Sequence, residues 1–203
     1  GLGGKRRIND GAAQALAERL LSGASDSLTL VEDIIKRENI ECFWERSGRF
    51  AGAYTRKHYD ELSAKVEMFN RNADAQCVML SKAQQREEID SDFYQGGMLV
   101  QRSGKLHPAL YYKGLLDAAR RYGVRLASRT NVERITGKRG AFRLGTSRGE
   151  MTAEQVIVAT NGYTGDATPQ LKRKLIPVAS HIIATEELPE GLAKSLIPNG
   201  RTI

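Results

Sequence analysis

The sequence predicts a mixed α/β fold, an α+β mixture, and three stretches predict it. Val156-Ile157-Val158-Ala159 is apolar without alternation and mostly β-branched, the pattern of a strand buried on both faces. Residues 98–126 read as strand, helix, strand, which is a crossover unit. Residues 132–153 read as two or three short strands separated by 137–140 and by Ser147-Arg148-Gly149. Phe142 and Leu144 alternate with polar residues there, so a one-sided antiparallel meander is expected. The buried run stops at Thr160-Asn161-Gly162. That ending delivers small hydrogen-bonding residues to the carboxyl edge of a sheet, where open α/β sheets bind ligands. Gly162 permits a positive φ and close approach of a ligand to the backbone.

In chain order, residues 11–22 are rich in helix formers and Gly23 ends them. A second helix is expected from Ser25 or Asp26, with Leu28, Val31 and Ile35 on one apolar face and Leu30 and Ile34 beside it. Cys42, Phe43 and Trp44 are expected to pack against the sheet. Residues 50–55 read as a strand, and 57–73 as one amphipathic helix with Tyr59, Leu62, Val66 and Phe69 on its buried face. Val78-Met79-Leu80 is a strand, and Ser81 caps a helix over 82–89. Gly96-Gly97 forces a turn into the strand Met98-Leu99-Val100. His107-Pro108 starts a helix with Tyr111, Leu115, Ala118 and Tyr122 as its stripe, and Gly123 closes it. Val124-Arg125-Leu126 begins the next strand. Residues 170–176 look helical, 177–185 reads as a strand leaving the sheet, and 190–196 looks helical.

The chain has 203 residues, 40% hydrophobic and 27% charged, an ordinary globular balance. No apolar run reaches the ~18 residues of a membrane span. Gly1-Leu2-Gly3-Gly4-Lys5-Arg6-Arg7 has no apolar run behind it, so it does not read as a secretory signal. It also lacks the Gly-Lys-Ser/Thr ending of a phosphate loop. Cys42 and Cys77 are the two cysteines, and a reduced cytoplasmic setting is the simple reading. The formal net charge is +7, which favours anions in general. The basic residues come in short groups with acidic neighbours, so a solvated mixed surface is expected rather than a nucleic-acid face.

Residues 96–163 resemble one family. The carriers are Gly-Gly-Met-Leu-Val at 96–100, His107-Pro108, the helix to Gly123-Val124, and Asn131-Val132-Glu133-Arg134-Ile135. The meander and Val156-Ile157-Val158-Ala159-Thr160-Asn161-Gly162 complete the set. The ordered set is similar to the FAD-dependent oxidoreductases of the D-amino-acid oxidase family, in particular its gamma-glutamylputrescine oxidase-like branch. The resemblance implies that the Val132 backbone pairs with the adenine of FAD, and that Thr160, Asn161 and Gly162 pass the nucleotide half of that cofactor. It implies oxidation of a small-molecule amine or amino acid, with hydride passing from carbon to flavin and oxygen regenerating the flavin. The fold it implies is an incomplete FAD-binding Rossmann-like domain with a meander, plus a mixed substrate-domain portion. The implied divisions are 1–95 (helical and mixed substrate or cap portion), 96–170 (partial FAD-binding domain) and 171–203 (return to the substrate domain).

The family's opening strand, G-x-G-x-x-G turn and ribose-holding acid have no counterpart in these 203 residues, nor does its last, flavin-lining stretch. The chain therefore reads as the middle of a flavoenzyme: FAD belongs to the complete enzyme, FAD binding by this chain alone is not expected, and the isolated chain is expected to be inactive. No paired carboxylates or Ser/His/Asp set stands out, so no catalytic residue is named. His58, His107 and His181 lack metal-ligand spacing. His181, Tyr94 and Tyr163 are weaker cavity candidates, each otherwise an ordinary strand or turn residue. Two alternatives stand beside this reading: an inert stand-alone fragment, and a basic nucleic-acid-binding module. The family reading and every site role derived from it are tied to one placement, since they require residues 156–159 to lie in a sheet.

Overall fold

Helix formers continue past Gly23 into a second apolar stripe, and together they build one helix. The computed structural model describes residues 10–203; the glycine-rich opening and its basic neighbours lie outside the described residues. Helix α1 spans Asp10–Glu38, where two helices were expected. A glycine inside a helix costs about 1 kcal/mol, less than leaving two extra helix ends with unpaired backbone groups. Ile35 of α1 is buried with Ile40 and Cys42, and Trp44, Leu110 and Leu115 close over them.

The described residues form two compact units. One takes the chain up to Gly123 together with Glu186–Ile203, and the other takes Val124–Thr185. In the first unit, β1 (Arg49–Gly52), β2 (Cys77–Leu80) and β3 (Gly97–Val100) form an antiparallel sheet in the order β1-β3-β2. Leu99 of the central strand faces Phe50 on one side and Val78 on the other. Met98-Leu99-Val100 is therefore the middle of an antiparallel sheet and not the first strand of a crossover. Val124-Arg125-Leu126 forms no strand, and Val124 and Leu126 are exposed. Helix α4 (Pro108–Arg121) sits between them as expected. The His107 ring accepts a hydrogen bond from the Leu110 N–H at 3.4 Å, and Gly123 closes the helix at φ +81°.

Helices α2 (Arg56–Ser63) and α3 (Val66–Ala73) cover one face of the sheet. The expected stripe is present: Leu62 is buried, and Tyr59, Val66 and Phe69 pack with it on Ala53, Cys77 and Met98. One continuous helix was expected. The Lys65 N–H instead donates to the Leu62 carbonyl, three residues back, at 3.0 Å, which tightens the turn and separates the two helices. Asn70 of α3 then caps the edge of β2. Its Oδ1 accepts from the Cys77 N–H at 2.6 Å, and its Nδ2 donates to the Cys77 carbonyl at 3.0 Å. A side-chain amide thus takes the place of a further strand on an exposed edge.

The loop after α1 departs from expectation. Phe43 turns outward through a left-handed backbone, φ +52°, and is 78% exposed. Cys42 is buried and Trp44 is partly so, both against α1 and α4 rather than the sheet. The buried Glu32 carboxylate anchors this loop. It accepts both Nε and Nη2 of Arg46, and Trp44 Nε1 at 3.1 Å. Ser81 starts a 3₁₀ turn, Gln84–Glu87, instead of an eight-residue helix. Gln85 is fully buried there and satisfied: it donates to the Ser91 carbonyl at 2.6 Å and accepts from the Gly96 N–H at 2.8 Å.

In the second unit, β4 (Val132–Lys138), β5 (Ala141–Thr146) and β6 (Gly149–Ala153) form the expected meander in the order β4-β5-β6. Ile135, Leu144 and Met151 stand opposite one another on a single face. The expected buried strand is not formed. Residues 156–159 lie outside any sheet, and Ile157 is 91% exposed. A strand buried on both faces needs a hydrogen-bonded neighbour on each side, and the three described strands of this unit pair only with one another. Residues 177–185 are likewise without strand structure. Helix α5 covers Pro169–Lys172, and α6, Glu190–Leu196, falls where expected.

Phe50 is fully buried at the junction of β1 with β3 and with Thr202, whose carbonyl accepts from the Phe50 N–H at 2.8 Å. We expect Phe50→Ala to destabilise this unit by about 3–5 kcal/mol, read as a lower urea midpoint. The Arg46 guanidinium, reinforced by the Trp44 N–H and opposed by burial, holds Glu32 below the usual carboxylate range. Its stabilisation is therefore full above the unfolded carboxylate pKa and fades as pH falls through the lower folded value. Urea titrations from pH 7 to pH ~3 should show the gap between the natural chain and Glu32→Gln narrowing as acid is added. A constant gap would refute this role for Glu32.

Candidate cofactor site

Strand β4 is an edge strand, and its first residues are fixed by one serine. The Ser147 N–H donates to the Asn131 carbonyl at 2.9 Å, and Ser147 Oγ accepts from the Asn131 N–H at 3.1 Å. Val132 faces Thr146 in the next register position. With Asn131 bonded to Ser147, Val132 and Thr146 form a non-hydrogen-bonded pair. The N–H and C=O of Val132 consequently point to the open side of β4. The register then shifts between Val132 and Arg134. Glu133 is the extra residue of a bulge, which turns the strand and re-aims its side chain.

The turn after residue 159 is held by its own hydroxyls. Thr160 and Thr164 share a hydrogen bond at 2.8 Å, and Thr164 Oγ1 donates to the Asn161 carbonyl at 2.7 Å. Asn161–Tyr163 forms a 3₁₀ turn. Its left-handed residue is Asn161, φ +47°, rather than Gly162, because a short polar side chain tolerates that conformation. A Cβ placed on Gly162 would meet no atom within 4 Å, so the backbone there is open to approach.

A cavity of about 650 Å³ lies between the start of the meander and this turn. Val132 and Thr160 both line it, so two of the four sequence-selected residues meet at one space; Asn161 and Gly162 belong to the turn but not to the lining. Tyr163 also lines it and is 95% exposed. Glu133, Asp166 and Thr168 are lining residues that the sequence reading did not select. Asp166 and Thr168 follow the glycine turn by only a few positions, which is a usable signal. Glu133 has none, because its place depends on the bulge.

The cavity's polar groups suit the neutral end of a nucleotide better than its phosphates. The Glu133 carboxylate repels a phosphate held beside it, while Asp166 has its charge offset by Lys172 at 2.8 Å. An outward N–H and C=O on one residue, by contrast, offer a donor and an acceptor to a base edge. The wider field differs in sign from these two carboxylates. Residues 124–185 hold ten Lys and Arg against four Asp and Glu, so they carry most of the chain's net positive charge and attract an anionic ligand from a distance.

The other candidates lie elsewhere. Tyr94 is half-buried in a ring cluster with Phe50, Tyr54 and Phe93. His58 stacks on Tyr54 and accepts from its N–H at 3.3 Å. His181 is exposed in the stretch without secondary structure. Among the described residues, no three His, Cys, Asp or Glu side chains gather to hold a metal, and no helix is long and apolar enough to cross a membrane.

Comparison with known proteins gives the family and the fold. The family model described as DAO, FAD dependent oxidoreductase, matches residues 6–202. A probable oxidoreductase OrdL of Haemophilus influenzae is 30% identical over 193 residues, covering 92% of this chain and 44% of that protein. Gamma-glutamylputrescine oxidoreductase of Escherichia coli is 35% identical over 170 residues, covering 83% of this chain and 39% of its own length. The chain thus spans less than half of these curated relatives. Among solved structures, glycine oxidase from Geobacillus kaustophilus superposes with a TM-score of 0.60 at 23% identity, over 79% of this chain and 42% of that one. L-proline dehydrogenase from P. horikoshii gives 0.60 at 16% identity, over 70% and 38%. These last two likenesses are of fold. The family match does not depend on a strand at 156–159, so the requirement drawn from the sequence was too strict. With nearly every residue of the chain inside that match, the protein belongs to the FAD-dependent oxidoreductases of the DAO family, whose cofactor is FAD.

Proposed function

We infer that the chain supplies the adenosine-side wall of an FAD site in an enzyme that oxidises a small amine or amino acid. The observation that carries this reading is the open edge at Val132: an outward backbone N–H and C=O beside a cavity of about 650 Å³. Adenine presents a ring nitrogen acceptor next to an amino donor, and that pair complements one residue's N–H and C=O. Thr160, Asn161 and Gly162 pass the nucleotide on the other side. Gly162 allows close backbone approach, and the Thr160–Thr164 hydroxyl pair keeps the turn in shape.

In this reading residues 96–170 carry the nucleotide contacts, and 1–95 and 171–203 stand on the substrate side. Bound FAD supplies two-electron oxidation of a C–N bond, with oxygen as the final acceptor. The chain's own contribution is to hold and orient the adenosine end. An amine is the favoured substrate class, because the relative from Escherichia coli is named for gamma-glutamylputrescine.

The test separates the backbone contact from the fold. Val132→Pro deletes one N–H on the open side of an edge strand, a position where proline is tolerated. We expect the variant to melt close to the natural chain, while its affinity for ADP, measured by calorimetry, falls about tenfold. Equal ADP affinity for the two proteins would overturn the Val132 contact. Absence of any ADP binding by the natural chain would favour the inert alternative.

A further inference from the structure

We propose that a cleft on the helix-covered face of the first sheet binds aliphatic carboxylates. The cleft has a volume of about 360 Å³ and lies where β1, β2 and β3 meet α2 and α3. Leu62, Phe69, Cys77 and Met98 give it apolar walls, and Arg49 and Lys65 also line it. Its size falls within the roughly 300–1,000 Å³ of small-molecule sites.

The sheet register explains why a cation stands here. Arg49 faces Val100, and Val100 faces Cys77 on the other side. Side chains in register share a face, so Arg49 ends a row that is otherwise apolar. Arg49 is exposed, and a long cationic side chain at such an edge can lay its stem on apolar neighbours with its head in water. Lys65 joins it from the break between α2 and α3. Other cations of this unit are matched: Arg56 with Asp60, Lys57 with Glu61, and Lys105 with Glu45. Among the described residues Arg49 and Lys65 have no acidic partner, so two uncompensated positive charges border one apolar cleft.

That combination selects a ligand by both ends. An alkyl tail gains from Ala51, Phe69 and Val100, lining residues that stay partly exposed, and a single carboxylate gains from the two cations. A neutral alcohol of equal length keeps only the apolar gain, and an alkylammonium is repelled. Burial pushes the Cys77 thiol up, so the wall carries no thiolate to oppose an anion. None of these residues lines the cavity beside Val132, so this site stands or falls independently of the flavin reading.

Titration of chain labelled with ¹³C-methyl methionine would test it, with the Met98 signal assigned by Met98→Leu. Sodium octanoate should shift that signal saturably. Arg49→Gln and Lys65→Gln should each weaken binding about fivefold, and 1-octanol should bind about tenfold more weakly than octanoate. Both substitutions fall at the edge of the cleft, and unchanged melting curves would show that the fold is intact. The proposal is overturned if octanoate gives no saturable shift, if octanol binds equally well, or if the double variant keeps full affinity.

Discussion

Every backbone N–H and C=O taken from water must find a partner, and that requirement decides which parts of this chain become sheet. β3 is paired on both sides, and it makes β1 and β2 possible. Where strand partners run out, other groups take over. Asn70 bonds the outer side of β2 at Cys77, and Thr202 bonds β1 at Phe50. Gln85 does the same for Gly96, the turn residue that leads into β3. Gly96 itself could not carry a side chain: its φ is +87° and a Cβ would lie 2.4 Å from the Leu80 carbonyl oxygen.

The same requirement explains where sequence reading succeeds. Local patterns that complete their own hydrogen bonds were legible. Helix α4 carries its cap at His107 and its stop at Gly123. The meander pairs neighbours in sequence across tight turns. Helices are also self-sufficient, so the stripe on α2 and α3 was read correctly although the break at Lys65 was not. Gly23 misled because a glycine stops a helix only if the chain has somewhere better to go. Phe43 misled because an apolar residue next to a buried Cys42 seems to belong inside, yet a left-handed backbone turns it out.

Long-range pairing was not legible. The pattern at 156–159 encodes burial on both faces, but a strand is a relation between segments and not a property of one. The apparent crossover failed for the same reason. Strand, helix and strand in order do not say that the two strands share a sheet, and β3 instead joins β1 and β2. For the candidate site, Val132 and Thr160 were found through the family pattern, and they meet at one cavity. The orientation of Val132 was beyond any pattern, since it follows from Ser147 holding Asn131 fifteen or more positions away in sequence.

The exposed apolar surface of the second unit bears on how the family reading survived a failed requirement. Ile157, Ile176, Val178, Ile182 and Ile183 are each more than four-fifths exposed. Scattered single apolar residues on a surface need no account, but a succession of β-branched ones is the mark of an interface. Burying such side chains yields roughly 1.5–3 kcal/mol apiece, a gain this unit does not collect by itself. The apolar runs at 156–159 and 177–185 therefore have the residue types of buried segments while most of their side chains stay exposed in this unit. A family model reads residue types and spacing along the chain, so it registers these runs unchanged. Requiring an actual strand tested the pairing instead, and pairing is the one feature that a segment cannot supply alone.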